Sequence, residues 1–146
     1  MRDKLVGTWK LVSVRTIRAS GKRNDAPYGA KPSGFLIYSA EGRVSATIGF
    51  DGRPPLSVND WRLAPAEERA EAFKTFLAYA GSYSVLEDRV IHHVEVSSVQ
   101  NWVNTDLLRM VRFAGDTLIL STPPPGAGGD AQTYELTWQR LPASSR

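Results

Sequence analysis

Eight runs of β-branched, aromatic and aliphatic residues, each closed by turn residues, dominate the chain and leave room for little else. They are Leu5–Arg18, Gly34–Ser39, Arg43–Phe50, Ser82–Leu86, Arg89–Val96, Asn104–Phe113, Asp116–Ser121 and Ala131–Arg140, and such runs bounded by turn signals read as strands. Ala40-Glu41-Gly42, Glu87-Asp88 and Ala114-Gly115 join neighbouring runs. These links are too short for the crossover that parallel strands need, so the pairing is antiparallel. Gly42 supplies the positive φ of a tight hairpin. An open sheet of this kind exposes two unpaired edges, and closure into a barrel removes both. A barrel of about eight strands is just wide enough to hold one small ligand. A two-sheet sandwich is the competing arrangement.

One segment breaks the pattern. Asp51-Gly52-Arg53-Pro54-Pro55 cannot extend a ladder, because proline donates no hydrogen bond. Leu63-Ala64-Pro65-Ala66-Glu67-Glu68 reads as a helix start, with Pro65 in the first turn and two glutamates complementing the dipole. Phe73, Phe76, Leu77 and Ala80 follow at helical spacing, and Gly81 ends the pattern. The expectation is one helical insertion between the third and fourth strands. It would close one end of the barrel over Val58 to Ala80, with Phe73, Phe76 and Leu77 packed inward and Trp61 near the mouth. The remaining connections are a polar loop from Ala19 to Ser33, a loop from Ser97 to Val103 and a Pro/Gly loop from Thr122 to Asp130. The tail from Pro142 should fray.

A chain of 146 residues is the size of one domain, here 1–146. With no cysteine, disulfide frameworks, thiolate metal sites and cysteine nucleophiles are excluded. No apolar run of signal-peptide length follows Met1, and no apolar stretch is long enough to span a bilayer, so the expected location is cytoplasmic and no membrane partner is expected. Residues 1–32 hold eight Lys/Arg against two Asp, whereas the rest holds ten Lys/Arg against thirteen Asp/Glu. The basic charges are spread along a strand and a loop without a helical stripe or an RNA-binding signature. They read as solvated charge rather than a nucleic-acid surface.

Alternation assigns the inner face, because a strand points every second side chain the same way. Tyr134, Leu136 and Trp138 share one face of the last run. In the run from Arg89, the set Val90, His92, Val94 and Val96 is apolar but for His92, which therefore points inward while His93 points out. Leu107, Val111 and Phe113 share a face with Arg109. A buried guanidinium keeps its proton and needs acceptors. Arg109 therefore either pairs with an internal carboxylate or meets an anionic group of a ligand. His92 is either a satisfied interior histidine or an acid–base group. Adjacent histidines on one strand face opposite ways and cannot share an ion, so no metal is expected. Asp51-Gly52-Arg53 and Gly126-Ala127-Gly128-Gly129 lack the strand-and-helix frame of a phosphate cradle, and no serine elbow occurs. No cofactor is implied.

Several segments together resemble a family of small bacterial and fungal lipocalin-like domains. The opening Gly7-Thr8-Trp9-Lys10-Leu11-Val12-Ser13 is similar to the Gly-x-Trp start of lipocalin barrels. Gly34 to Tyr38 with Glu41 to Ala46 resembles the second hairpin, and Tyr79-Ala80-Gly81-Ser82-Tyr83 a helix-to-strand junction. His92-His93-Val94-Glu95, Asn101-Trp102-Val103, Thr105-Asp106 with Arg109, and Leu120 to Pro124 match in order and spacing. The resemblance implies an eight-stranded antiparallel barrel with an internal cavity. It also implies that Trp9 closes the floor beside Arg140 of the last strand. It assigns no catalytic residue.

Three functions compete. The first is binding of a small, largely apolar molecule, neutral or anionic, in the barrel. The second is a cofactor-independent cyclase, isomerase or dehydratase using the same cavity, with His92 as acid or base and Arg109 stabilising negative charge. The third is an interaction protein with a filled barrel. The expected ligand contacts are Tyr38, Trp61, His92, Asn101, Trp102, Arg109 and Tyr134, with Tyr38, Asn101 and Trp102 at the rim. An open pocket of about 300 Å3 or more, lined by His92 and Arg109, separates the first two readings from the third. Oligomeric state is left open.

Overall fold

The computed structural model describes residues 1–123 and 132–144. Its strands are β1 (Gly7–Arg18), β2 (Arg23–Asn24), β3 (Ser33–Tyr38), β4 (Arg43–Gly49), β5 (Phe76–Leu86), β6 (Arg89–Ser97), β7 (Asp106–Ala114), β8 (Thr117–Ser121) and β9 (Gln132–Arg140). From β3 to β9 each strand pairs antiparallel with the next, and β1 pairs with both β3 and β9. The sheet therefore closes into an eight-stranded antiparallel barrel, with the two-residue β2 appended to the far end of β1 at Thr16 and Ile17. Gly42 has φ 93°, as its hairpin requires.

One end is sealed by the start of the chain. A short helix, α1 (Arg2–Leu5), precedes β1, so the first strand begins at Gly7 rather than at Leu5. Leu5 is buried, and its carbonyl oxygen accepts the indole N–H of Trp9 at 2.9 Å. The Arg140 guanidinium lies 4.2 Å over the Trp9 ring and donates to the carbonyl oxygens of Val6 and Lys4. Phe113, Leu118 and Trp138 complete this apolar end. Trp9 and Arg140 thus form the floor that the resemblance implied.

The insertion lies between β4 and β5, the third and fourth strands of the closed ring, but its helix is shorter than the spacing indicates. The helix α2 (Ala66–Lys74) stops before Thr75, whose hydroxyl donates back to the Glu71 carbonyl oxygen at 2.8 Å. From Phe76 the chain is strand, in register with β4 from Gly49↔Phe76 to Arg43↔Ser82. Gly81 sits inside that strand and terminates no helix. No residue of α2 is buried, and Phe73 is 57% exposed. The segment is instead tied to the preceding loop: Arg53 bonds the Thr75 hydroxyl and the Ala72 carbonyl oxygen, and Glu68 accepts from Ser57. The expected closure of one end by a helix packing Phe73, Phe76 and Leu77 inward, with Trp61 near the mouth, is therefore corrected. Only Leu77 of that apolar set faces the barrel interior beside the cavity, and it does so from a strand.

Among the described residues no helix is long and apolar enough to cross a membrane. Beyond Pro123, the expected Pro/Gly loop lies outside the described residues, as do Ala131 and the last two residues of the tail.

Candidate functional site

Above the Trp9 floor the barrel encloses a cavity of about 300 Å3. Leu36 of β3, Ala46 and Ile48 of β4, Leu77 of β5, Leu120 of β8 and Leu136 of β9 supply aliphatic wall. Tyr28, Trp102, Tyr134 and Trp138 supply aromatic wall. Tyr28 rises from the loop before β3 and stacks on Phe50 with ring centroids 4.0 Å apart, while its other neighbour is Tyr134. Trp102, in a single helical turn at Gln100–Trp102, stands edge-on to Tyr79 at 6.1 Å. The indole N–H of Trp138 is buried and has no hydrogen-bond partner among the described residues.

The polar lining gathers around His92. Its ring is 1% exposed and bonded on both nitrogens: Nε2 to the Tyr38 hydroxyl and Nδ1 to the Tyr79 hydroxyl, each at 2.6 Å. These contacts follow from register, since β6 lies beside β5, β5 beside β4 and β4 beside β3, all with these side chains inward. Burial, helped by the charges of Arg109 and His93, pushes the His92 pKa down to about 3. Burial also raises both tyrosine hydroxyls, Tyr38 well above its ordinary value, and the Arg109 charge opposes this only in part. Tyr28 is pushed up to about 12 by burial and by Tyr134. The cluster is therefore a neutral imidazole between two protonated phenols.

Arg109, on β7, is the one cation of the cavity wall among the described residues. Its Nη1 donates to the carbonyl oxygen of Leu108 at 3.0 Å, and its charge acts on the Tyr79 hydroxyl. Among the described residues no carboxylate pairs with it. The internal-carboxylate alternative thus has no candidate among those residues.

Of the seven residues singled out from sequence, His92, Trp102, Arg109 and Tyr134 line the cavity. Tyr38 is not at the rim; it lies buried behind His92. Asn101 is exposed and does not line the cavity. Trp61 is 69% exposed on a 3-10 turn whose cap, Asp60, accepts from the Arg62 amide, and it too stands apart. Sequence reasoning missed Tyr79 and Tyr28 as wall residues with polar atoms, and it placed Trp138 on the inner face without counting it among the ligand contacts. The alternation Leu77, Tyr79, Tyr83, Val85 carried the signal for Tyr79, but the helical spacing competed with it. On the outer face, His93 bridges Ser84 at 2.8 Å and Asp106 at 2.7 Å. That order resembles an acyl-transfer triad, but it stands in solvent outside the cavity, where water competes for each bond.

The model of the "lipocalin-like domain" family matches residues 6–141. The chain belongs to this lipocalin-like domain family. A relative from Aspergillus oryzae, the "4'-hydroxy-3'-methoxypropiophenone carrier protein ppsC", is 37% identical over 108 residues, covering 68% of this lipocalin-like chain and 97% of that protein. A solved structure of a mutant of the fluorescent protein UnaG aligns over 96% of this chain and 98% of that one, at 12% identity and a TM-score of 0.41. Membership of the family and the cavity inside the barrel both fit the binding of a small molecule.

Proposed function

We propose that this domain is a carrier that holds a small, largely apolar aromatic molecule inside the barrel, with His92, Trp102, Arg109 and Tyr134, joined by Tyr28, Tyr79 and Trp138, as the contacts. The observation that carries the reading is the cavity itself: about 300 Å3, walled by aliphatic and aromatic groups, with its polar groups gathered chiefly around His92. The A. oryzae relative is named for a phenolic aryl ketone, a ligand of matching character. The enzymatic alternative is weaker on chemical grounds. A general base works best with a pKa near the working pH, and His92 at about 3 is far below it.

The test is a titration with aryl ketones, read by the fluorescence of the wall tryptophans and by thermal melting. Expected is saturable quenching, and at a ligand concentration about 100 times Kd a stabilisation of about 2.7 kcal/mol. The ligand should be recovered unchanged by mass spectrometry. If no aryl ketone moves either signal, the carrier reading fails.

A further inference from the structure

Hydrogen-bond accounting fixes the direction of the side-chain relay behind the cavity. Among the described residues the buried Tyr38 hydroxyl meets one partner, Nε2 of His92. A buried O–H with nothing to donate to is costly, so Tyr38 donates and Nε2 accepts. A neutral imidazole carries one proton, which then sits on Nδ1 and is donated to the Tyr79 oxygen. The Arg109 charge also acts on that hydroxyl. Having accepted from Nδ1, Tyr79 keeps its own O–H to offer, and it lines the cavity. Arg109 offers further N–H groups and a permanent charge, with no carboxylate partner among the described residues. The Trp138 indole, also in the wall, is a donor without a partner among the described residues. The cluster thus presents donors and positive charge, and His92 has no free acceptor left.

We infer that the cavity selects ligands bearing an anionic oxygen, a phenolate or a carboxylate, on an aromatic body, with Arg109 and Tyr79 receiving that oxygen and Tyr38 and His92 as positioning residues behind them. This rests on the carrier reading above. Among the described residues the titratable groups sharing the cavity region with Arg109 are Tyr28, Tyr38, Tyr79, His92 and Tyr134, and none is a carboxylate. Among the described residues a single bound anion would therefore face one cation without a competing negative charge. The relay strengthens the final donor, because each hydrogen bond polarises the next. The aromatic rings of Tyr28, Trp102, Tyr134 and Trp138 suit a planar body.

The experiment compares 4-hydroxyacetophenone, 4-methoxybenzoate and the neutral 4-methoxyacetophenone on the full chain, by fluorescence titration and by the absorbance of the bound phenol below its free pKa. The phenol should acquire its phenolate band on binding, and both acidic probes should bind more tightly than the ether. Arg109→Met should abolish the band and weaken the acidic probes about tenfold to a hundredfold, the range for hydrogen bonds to a charged partner, with the ether changed less than about threefold. Arg109→Lys, which keeps the charge, should retain part of the preference, and guards against a fold defect in the first variant. Tyr38→Phe should raise the pKa of the bound phenol while leaving ether affinity unchanged, which a merely structural role would not do. Tighter binding of the phenol than of the benzoate, with the phenolate band, identifies a phenolate as the preferred oxygen, and the reverse order identifies a carboxylate. Equal affinity for ether and acids, or acid binding untouched by Arg109→Met, overturns the anion receptor and leaves the carrier standing. Failure of all three probes to bind overturns the carrier reading itself.

Discussion

Burying a neutral histidine at the centre of the barrel should make the fold lose stability in acid over a defined window. His92 titrates at about 3 in the folded chain against 6.5 when free, with burial as the main cause. Between those values the unfolded chain takes up a proton that the folded one refuses. The His92 contribution is therefore fully present above about pH 6.5 and is lost as pH falls toward 3. Each pH unit in the window is worth about 1.36 kcal/mol. About 2.7 kcal/mol should be gone by pH 4.5, a large share of a typical stability of about 5–15 kcal/mol. The assay is urea unfolding followed by circular dichroism at pH 7.5, 6.0 and 4.5, on the wild type and on His92→Gln, whose amide does not titrate. Asp60 and Glu68, whose carboxyls are lowered by their hydrogen bonds to Arg62 and Ser57, also favour neutral pH, but they act alike in both proteins. The wild type should lose about 2.7 kcal/mol more than the variant between pH 7.5 and 4.5. Parallel curves for the two proteins would refute the buried, neutral imidazole.

Two further outcomes test the frame around the site. Trp9→Ala removes a buried ring, its bond to the Leu5 carbonyl oxygen and the seat of the Arg140 guanidinium. It should cost about 3–5 kcal/mol and lower the melting temperature by about 6–20 °C, and an unchanged melt would remove Trp9 from the floor. Phe73→Ser, on the exposed face of α2, should shift stability by less than about 0.5 kcal/mol in a urea melt and leave ligand titrations unaltered. A larger loss would mean that α2 packs onto the barrel after all.

Alternation identified the inner face wherever a strand keeps its register. It placed Tyr134, Leu136 and Trp138 of β9 and Val90, His92 and Val94 of β6 inside, where they are found. It failed one step later, at Val96, which is 62% exposed. The cause is a bulge: Gly81 pairs with Val94 but Ala80 with Val96, so Glu95 is the extra residue and the faces exchange. The signal for the bulge lies on the opposite strand. A Cβ on Gly81 would sit 1.9 Å from the His93 carbonyl oxygen, so only glycine fits there. Nothing in the apolar pattern of β6 announces that approach.

The same limit explains what was legible in the site. His92 and Arg109 could be found because each interrupts an otherwise apolar set, which is a local signal. Tyr79 could not, for two reasons. Phe73, Phe76, Leu77 and Ala80 mimic a helix face, and the preference was overridden by β4, whose ladder from Arg43 to Gly49 takes its partner from Phe76 to Ser82. Tyrosine is also at home among apolar neighbours, so its hydroxyl leaves no mark in the pattern. The Tyr38–His92–Tyr79 contacts join residues 54 and 13 positions apart across separate strands. They depend on register: a one-residue slip of β5 would turn Tyr79 outward and strip Nδ1 of its partner. Trp102 and Trp61 make the point in loops. Both follow turn residues, yet one stands against Tyr79 and the other in solvent, because only the loop between β6 and β7 reaches the wall that carries Arg109. The chemistry of the cavity is thus written in which strands neighbour which, and the residues that lend it polarity become visible only once those neighbours are set.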